Sequence, residues 1–486
     1  MGSALQPQNL IANIVGVGIG IFFGALPGVG AVLTVGLFIG VTFALPPATG
    51  LIFLGALYSG AVYGGSISAI LVNTPGTAAS TATTFDGYPM AEQGRARVAL
   101  GASMMSSFIG GIFGCLALIT LGPVLGMWAV YVGPAEYVGL AIFTLTTIAS
   151  LSREDLLKGL VAGALGILLS TAGHDPITGI IRYDFGIEFL EDGVPLVPAL
   201  IGLFAIPEAF LIAQTGGTVS KVGRLAGDIW EGISKTFVHL VTLIRSVLFG
   251  VGLGILPGVG GAIANMVAYS ETVRRSKDPD SFGKGNIEGV IAPEAANNAT
   301  VASSLIPTLT LGIPGSDVAA VFLGGLIIHG IFPGPDLFTS QASITYTFFA
   351  GLVFSQIIMF AMAVFAAPLY ARITLLSGEK LVPLILVLSL AGAFSYRNNV
   401  LDMMMAVGFG VFAYLMRWAG FPRAALVLGL VLGKLVERNY NRAMIISEDS
   451  FSIFVTEPLS LAIVVLIFVT LLYPVISEKI FPQNRK

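Results

Sequence analysis

From Met1 to Phe85 the chain contains no Asp, Glu, Lys, Arg or His, and the first charge is Asp86. Eighty-five uncharged residues cannot form a soluble domain, which needs ionised side chains over its surface. A bilayer sets the opposite demand, about 20 mostly apolar residues per spanning helix. The remainder keeps this character: charged residues are 10% of the 486 against about 25% in soluble proteins. Hydrophobic residues reach 55%, and the 61 glycines suit helices that approach closely in lipid. The expected fold is an all-α polytopic integral membrane protein of about 12 transmembrane helices.

Charge and cysteine content remove several function classes. With 24 Lys+Arg against 27 Asp+Glu the net charge is -3, which provides neither a basic field for nucleic acid nor a polybasic lipid anchor. The single cysteine, Cys115, lies in an apolar run, so it forms no intramolecular disulfide or thiolate metal site and is expected to be a small core residue. Met1 to Asn9 lacks the positive region and cleavage pattern of a signal peptide, so the first apolar run is expected to remain in the mature protein.

Charge-free runs place spans within Leu10–Leu45, Gly50–Val72, Val98–Ala135, Tyr137–Ser152, Gly159–Ala172, Val194–Ala213, His239–Tyr269, Ala299–Ile331, Leu337–Ala371, Leu381–Ser395, Met403–Met416, Ala424–Val436 and Pro458–Ser477. Val98–Ala135 is long enough for a helical hairpin, with Pro123 near its turn. Segments broken by Pro and Gly free backbone groups that cannot face lipid, so they are expected to turn inward.

Two such segments repeat. Gly24-Ala25-Leu26-Pro27-Gly28-Val29-Gly30 returns as Gly254-Ile255-Leu256-Pro257-Gly258-Val259-Gly260, matching at six of seven positions, 230 residues on. Ala69-Ile70-Leu71-Val72-Asn73-Thr74-Pro75-Gly76 has a looser counterpart in Thr308-Leu309-Thr310-Leu311-Gly312-Ile313-Pro314-Gly315, 239 residues on. Ordered repetition of broken apolar segments is the sign of a transporter made of two pseudosymmetric repeats, expected to be inverted, with its site at their interface. The halves are residues 1–215 and 246–486, the second including C-terminal scaffold helices, joined by a basic connection, 216–245. In that connection Lys221, Arg224, Lys235 and Arg245 indicate the cytoplasm; Gly173–Gly193, with five acids against Arg182, indicates the outside. Arg153 and Lys158 agree, and Lys479, Arg485 and Lys486 give a cytoplasmic C-terminus.

The first signature lies in a run of small hydroxyl and amide residues: Tyr63-Gly64-Gly65-Ser66, Asn73-Thr74-Pro75-Gly76-Thr77, Ser80-Thr81 and Thr83-Thr84, ending at Asp86-Gly87-Tyr88-Pro89. These groups hydrogen-bond without carrying a charge into the bilayer. Pro75 is expected to open a half-helix whose free N–H groups attract an anion. The second cluster, Asn297-Asn298-Ala299-Thr300, Ser303-Ser304, Thr308 and Gly312-Ile313-Pro314-Gly315-Ser316, ends in the same Pro-Gly-hydroxyl order. The expected substrate site is therefore Asn73, Thr74, Pro75, Gly76, Thr77 and Ser80 facing Asn297, Asn298, Pro314, Gly315 and Ser316.

Neither cluster contains Arg or Lys, so neutralising a polycarboxylate falls to helix termini, bound cations or distant arginines. That favours cation coupling, by sodium or protons, with Ser66, Thr81, Thr300 and Ser303 as candidate sodium ligands. Asp86 and Glu294, with Gly28, Gly30, Gly258 and Gly260, are assigned to gating or coupling; Glu294 is taken as the acid best placed to reach a cavity, from a stretch after Tyr269 that reads as surface loop. His174, His239 and His329 are isolated, and no catalytic motif such as His-Glu-x-x-His or Gly-x-Ser-x-Gly occurs, so the expectation is a non-enzyme.

These motifs resemble those of the large membrane subunit of the tripartite tricarboxylate transporters, the TctA family. The resemblance rests on Tyr63-Gly64-Gly65-Ser66, Asn73-Thr74-Pro75-Gly76, Asp86-Gly87-Tyr88-Pro89-Met90, Leu256-Pro257-Gly258-Val259-Gly260, Ala292-Pro293-Glu294-Ala295-Ala296-Asn297-Asn298 and Gly312-Ile313-Pro314-Gly315. It implies a bacterial inner-membrane secondary transporter with about twelve spans, a small four-span membrane partner, and a periplasmic solute-binding protein that delivers a carboxylate such as citrate. Uptake would follow an ion gradient without ATP, and no Gly-x-x-x-x-Gly-Lys-Ser/Thr loop occurs. A passive anion channel and a membrane-embedded hydrolase are the competing possibilities, and elevator and rocking motions both stay open.

Overall fold

The computed structural model describes residues 2–151, 156–215, 226–373 and 378–480. Helices dominate. The first group is α1 (Pro7–Gly24), α2 (Gly30–Phe38), α3 (Pro47–Val72), α4 (Thr83–Glu92), α5 (Ala96–Trp128), α6 (Pro134–Leu151), α7 (Leu156–Ser170) and α8 (Leu196–Thr215). Then come α9 (Ile229–Val238), α10 (Leu240–Ile255), α11 (Gly260–Arg275), α12 (Glu288–Ser303), α13 (Leu305–Leu311) and α14 (Asp317–Ile328). The last are α15 (Ala342–Ile373), α16 (Gly378–Arg397), α17 (Val400–Trp418), α18 (Arg423–Ile446), α19 (Ile453–Thr456) and α20 (Pro458–Ile480). Two short antiparallel strands, β1 (Gly173–His174) and β2 (Ile181–Arg182), pair Gly173 with Arg182 and His174 with Ile181.

A helix apolar on every side must be surrounded by protein or lipid. α3 is surrounded by protein: every residue from Thr49 to Val72 is buried, against α1, α2, α4, α5, α12 and α15. The periphery instead exposes large apolar side chains such as Val241, Leu248, Phe365 and Val387, with Trp128, Tyr131 and Trp418 among them at 67%, 85% and 86% exposure. Such a belt suits lipid with aromatic rings at its edges. The protein is a multi-pass membrane protein.

Among the described residues seven helices are long and apolar enough to cross a bilayer, or eight if α9 and α10, bent by 82°, make one span. The expected count was about twelve. Part of the difference lies in the breaks: among the described residues Gly30–Ala44, Leu156–Ser170 and Asp317–Ile328 are apolar but too short to cross alone, whereas α20, at 23 residues, has the length to do so. The expected hairpin in Val98–Ala135 is one continuous 33-residue helix, α5, with Pro123 inside it. A proline deletes one backbone hydrogen bond but does not reverse the chain, and neighbouring helices compensate in a membrane bundle. The expected surface loop after Tyr269 is also corrected: α11 continues to Arg275 and α12 starts at Glu288, so only residues 276–287 are a connection. Arg153, Lys221, Arg224, Arg485 and Lys486, and the side chain of Lys479, lie outside the described residues.

The repeated signatures have matching local geometry. Gly28 and Gly30 take φ of 82° and 73°, and Gly258 and Gly260 take 78° and 63°, left-handed values that L side chains disfavour. These turns divide α1 from α2 and α10 from α11. α1 packs on α3 with Gly20 against the Leu57 carbonyl, as α10 packs on α12 with Gly250 against that of Ala296; the pairs are related by the same offsets of 230 and 239 residues. At the second signature, a Cβ on Gly76 would lie 1.9 Å from the Gly24 oxygen, and one on Gly315 2.8 Å from the Gly254 oxygen. Each Pro-Gly turn therefore presses its glycine onto the end of the paired helix.

Candidate functional site

The two Pro-Gly turns begin where a helix is stopped by one left-handed residue, Asn73 (φ 54°) after the 26-residue α3 and Gly312 (φ 70°) after the seven-residue α13. Beyond the stops the repeats diverge. In the second, Ser316 caps α14 by accepting from the Ala319 N–H at 3.1 Å, and Asp317 Oδ1 accepts from the Val318 N–H at 3.0 Å. In the first, no α-helix follows at once: a 3-10 turn, Ala78–Ser80, precedes α4. The half-helix expected at Pro75 begins only at Thr83, and the positive end of α14 is already met by a hydroxyl and a carboxylate.

The uncapped helix ends belong to the other signature. α2 starts at Gly30 and α11 at Gly260, each without a side-chain cap. In the second repeat the Gly258 and Gly260 N–H groups donate to the carbonyls of Pro314 and Gly315, both at 3.1 Å. In the first repeat, among the described residues, the Gly28 and Gly30 N–H groups have no partner. That difference leaves two donors free in the first repeat.

Those donors open into a cavity of about 680 Å³. Its wall includes Gly28 to Leu33 with the first turn of α2, Gly261 and Ala262 in the first turn of α11, and the Pro75–Ala79 turn. Two helix N-termini from corresponding places in the chain thus meet at one space, each carrying partial positive charge. Asn297 and Thr300 of α12 line the same cavity. Asn297 is fully buried, and neither its Nδ2 nor its Oδ1 has a partner among the described residues. An amide buried without a hydrogen bond costs about 1–3 kcal/mol, so both polar atoms of this side chain keep their full bonding capacity at the cavity. Tyr58 completes the wall from α3, its hydroxyl 3.2 Å from that of Ser316.

A charged edge was not foreseen from the motifs. Glu208 of α8, Arg417 at the end of α17 and Arg423 at the start of α18 all line the cavity, with Asp317. Glu208 Oε2 lies 3.5 Å from Arg417 Nη1 and 3.6 Å from Arg423 Nη2. These are loose pairs compared with Arg397 and Asp402, joined by two bonds of 3.1 and 2.7 Å. Arg423 also donates to the Leu203 carbonyl at 3.5 Å, while the Arg417 guanidinium stays partly exposed at the cavity edge, where a further anion can reach it. Local sequence offered no signal for Glu208, Arg417 and Arg423, because they lie outside both signatures, Glu208 before Gly254 and the two arginines well beyond Gly315.

Of the expected substrate residues, the structure brings Pro75, Gly76, Thr77 and Asn297 to the cavity. Asn73 caps α3 with its side chain exposed, and Thr74 bonds back to the Val72 carbonyl. Asn298 is buried and donates to the Glu294 carbonyl; Pro314 and Gly315 are buried behind Ser316, which serves as the α14 cap. Of the four candidate sodium ligands, Thr81, Thr300 and Ser303 each bond to a carbonyl of their own segment, and Ser66 donates to Glu294. Asp86 is buried at the 276–287 connection, accepting from Tyr269 and from the Gly285 and Asn286 N–H groups. Glu294 does not line the cavity as expected: it is fully buried behind Ser66 and Ser80. Gly28 and Gly30 line the cavity, whereas Gly258 and Gly260 hold the second turn.

Comparison with known proteins agrees with this arrangement of motifs. The model of the "Tripartite tricarboxylate transporter TctA family" matches residues 10–428. An Agrobacterium vitis protein described as an uncharacterized 52.8 kDa protein in the TAR-I ttuC' 3' region is 36% identical over 482 residues, covering 98% of this chain and 96% of that one. A second from the same organism, an uncharacterized protein in the TAR-II ttuC' 3' region, is 38% identical over 208 residues, 43% of this chain and 86% of its own length. No solved structure matches. With both signatures, the broken helices and the match over most of its length, this chain belongs to the TctA family of tripartite tricarboxylate transporters.

Proposed function

We propose that this chain is the large transmembrane subunit of a binding-protein-dependent secondary transporter, importing a tricarboxylate or related citrate-like carboxylate by alternating access. The observation that carries the proposal is the meeting of two uncapped helix N-termini and the unpartnered Asn297 at one cavity. An anion there accepts from the Gly28, Gly30, Gly261 and Ala262 N–H groups and from the Asn297 amide, at little reorganisation cost. Arg417 takes a second carboxylate, so a polycarboxylate is favoured over a simple monocarboxylate.

In this proposal residues 1–215 and 246–486 are inverted halves joined by 216–245, and about twelve spans result when broken helices are counted as parts of spans. The protein lies in a bacterial inner membrane with the C-terminus in the cytoplasm. Three contacts support one cytoplasmic face: Gln93 donates to the Lys284 carbonyl, the Arg97 N–H to that of Ala226, and Arg95 pairs with Glu231, which gathers basic segments together. A four-span subunit and a periplasmic binding protein complete the system. The driving force is a cation gradient, sodium or proton, and the chain performs no chemistry on its cargo.

The test is uptake of labelled citrate into proteoliposomes holding both membrane subunits, with and without the binding protein, under imposed sodium or proton gradients. Accumulation that needs gradient and binding protein is the expected result. Uptake that follows the citrate gradient alone would identify a passive channel, and altered product a hydrolase.

A further inference from the structure

Glu294 is buried where a charge is expensive. It lies on α12, is 0% exposed, and the charged groups of the surrounding helices are occupied elsewhere. Asp86 is held by Tyr269, Glu288 by His239 and Thr242, Arg245 donates to Thr272, and Glu271 binds Arg274 and Arg275; Arg97 is at the exposed start of α5. What faces Glu294 is hydroxyl: Ser66 of α3 at 2.5 Å, Ser107 and Ser103 of α5 at 3.0 and 3.3 Å, and Thr83 of α4. Four hydroxyls from three helices thus converge on one carboxyl, with no basic side chain bonded to it among the described residues.

These hydroxyls also lead somewhere. Ser66 Oγ is 3.5 Å from Ser80 Oγ, which is 3.0 Å from Thr77 Oγ1, and Thr77 lines the cavity at the first Pro-Gly turn. A file of hydroxyls can move a proton, each oxygen accepting one and releasing another. The oxygens around the carboxyl already lie at hydrogen-bonding distance from it, the arrangement that proton transfer needs. The 3.5 Å step is the weakest link, so small movements of the turn against α3 control the file.

We infer that Glu294 is the proton-coupling site of the transporter, loaded from the substrate cavity through Thr77, Ser80 and Ser66. This rests on the transport function proposed above and replaces its open choice of cation with the proton. In the transfer a proton enters at Thr77 Oγ1, a proton leaves Ser66 Oγ for Glu294 Oε2, and the carboxylate becomes a carboxylic acid; only O–H bonds change. A neutral Glu294 can travel with α12 through the bilayer at much lower cost than an ionised one, which ties movement of the cavity to protonation.

The experiment uses the complete system in proteoliposomes, at zero membrane potential, with labelled citrate. Two activities are read: accumulation driven by an imposed gradient of one pH unit, which supports about tenfold concentration for each proton carried, and citrate exchange at equal pH. The wild type is expected to show both. Glu294→Gln is expected to lose pH-driven accumulation while exchange persists at an altered rate, and Glu294→Asp to recover part of the accumulation. Ser80→Ala, which leaves Glu294 in place, is expected to slow the pH-driven phase at least about tenfold, and decides the matter if Glu294→Gln does not fold. Accumulation by Glu294→Gln equal to wild type, an unslowed Ser80→Ala, or a wild type driven by sodium and indifferent to pH would overturn the inference while leaving citrate transport standing. A wild type that neither exchanges nor accumulates citrate would overturn the transport function, and the inference with it.

Discussion

Asn297 is the single residue at which the proposed site is most directly testable. It has the full hydrogen-bonding capacity of an amide, sits fully buried, and bonds to nothing described around it. Removing an unpaired buried amide relieves its desolvation, so Asn297→Ala is expected to leave the empty protein as stable as before or more stable, by up to about 1–3 kcal/mol. The same variant should lose citrate binding by about tenfold or more, since each bond to a charged group contributes about 1.5–3 kcal/mol. Melting curves in detergent with and without citrate separate the effects: a structural role lowers the melting temperature of the empty protein, a binding role removes only the shift produced by citrate. Arg417→Gln is expected to raise KM for a tricarboxylate by about 10–100-fold and for a dicarboxylate by less, because one charge-assisted contact disappears. Equal KM changes for both substrates would place Arg417 outside the binding step.

At the scale of elements, the turns that divide the helices are fixed by close backbone contact. Gly76→Ala puts a methyl 1.9 Å from the Gly24 oxygen, in rigid backbone rather than a yielding side chain. Its cost should exceed the usual overpacking range of about 1–3 kcal/mol. Gly28→Ala meets nothing within 4 Å and carries only the left-handed backbone cost of about 1–2 kcal/mol. Thermal unfolding of the two variants should differ in that order. The β1–β2 hairpin offers a pH test outside the spans. Backbone N–H groups of Thr178 and then Ile177 hold the Asp175 carboxyl below its usual range, with Arg182 beside it. A depressed carboxyl stabilises its fold above the unfolded value near pH 3.9 and loses that effect as pH falls through the folded one. Amide exchange at 177 and 178, corrected for intrinsic rates, is expected to lose protection below about pH 4 and not between pH 6 and 8.

For the whole molecule, the placement of charge predicts its sidedness. Residue 284 and the hairpin near residue 178 belong to opposite faces in the proposed topology. The single native thiol, Cys115, is fully buried and gives little background. Lys284→Cys is expected to react with an impermeant maleimide only from the cytoplasmic face, and Thr178→Cys only from the outside. Labelling of both from one side would invert or discard the proposed orientation.

The chain's sequence by itself determined the medium, the helices and the points where they break. Eighty-five residues without charge have no soluble solution, and the Leu-Pro-Gly-Val-Gly turn takes φ > 0 at both glycines in both of its occurrences. Those consequences are local, so α3, α8 and α17 and the breaks before α2 and α11 were legible within a few residues. What only the tertiary structure decided was which of the freed groups still lacks a partner. Gly258 and Gly260 share their sequence signature with Gly28 and Gly30, yet one pair is bonded to a second turn and the other opens to the cavity. Arg417 reaches that cavity, and Glu294 is enclosed by hydroxyls from α3, α4 and α5, through contacts between residues about 190 to 230 apart in the chain. Hydrogen bonds and charges act over a few ångströms, so their partners are set by how helices pack and not by spacing along the sequence.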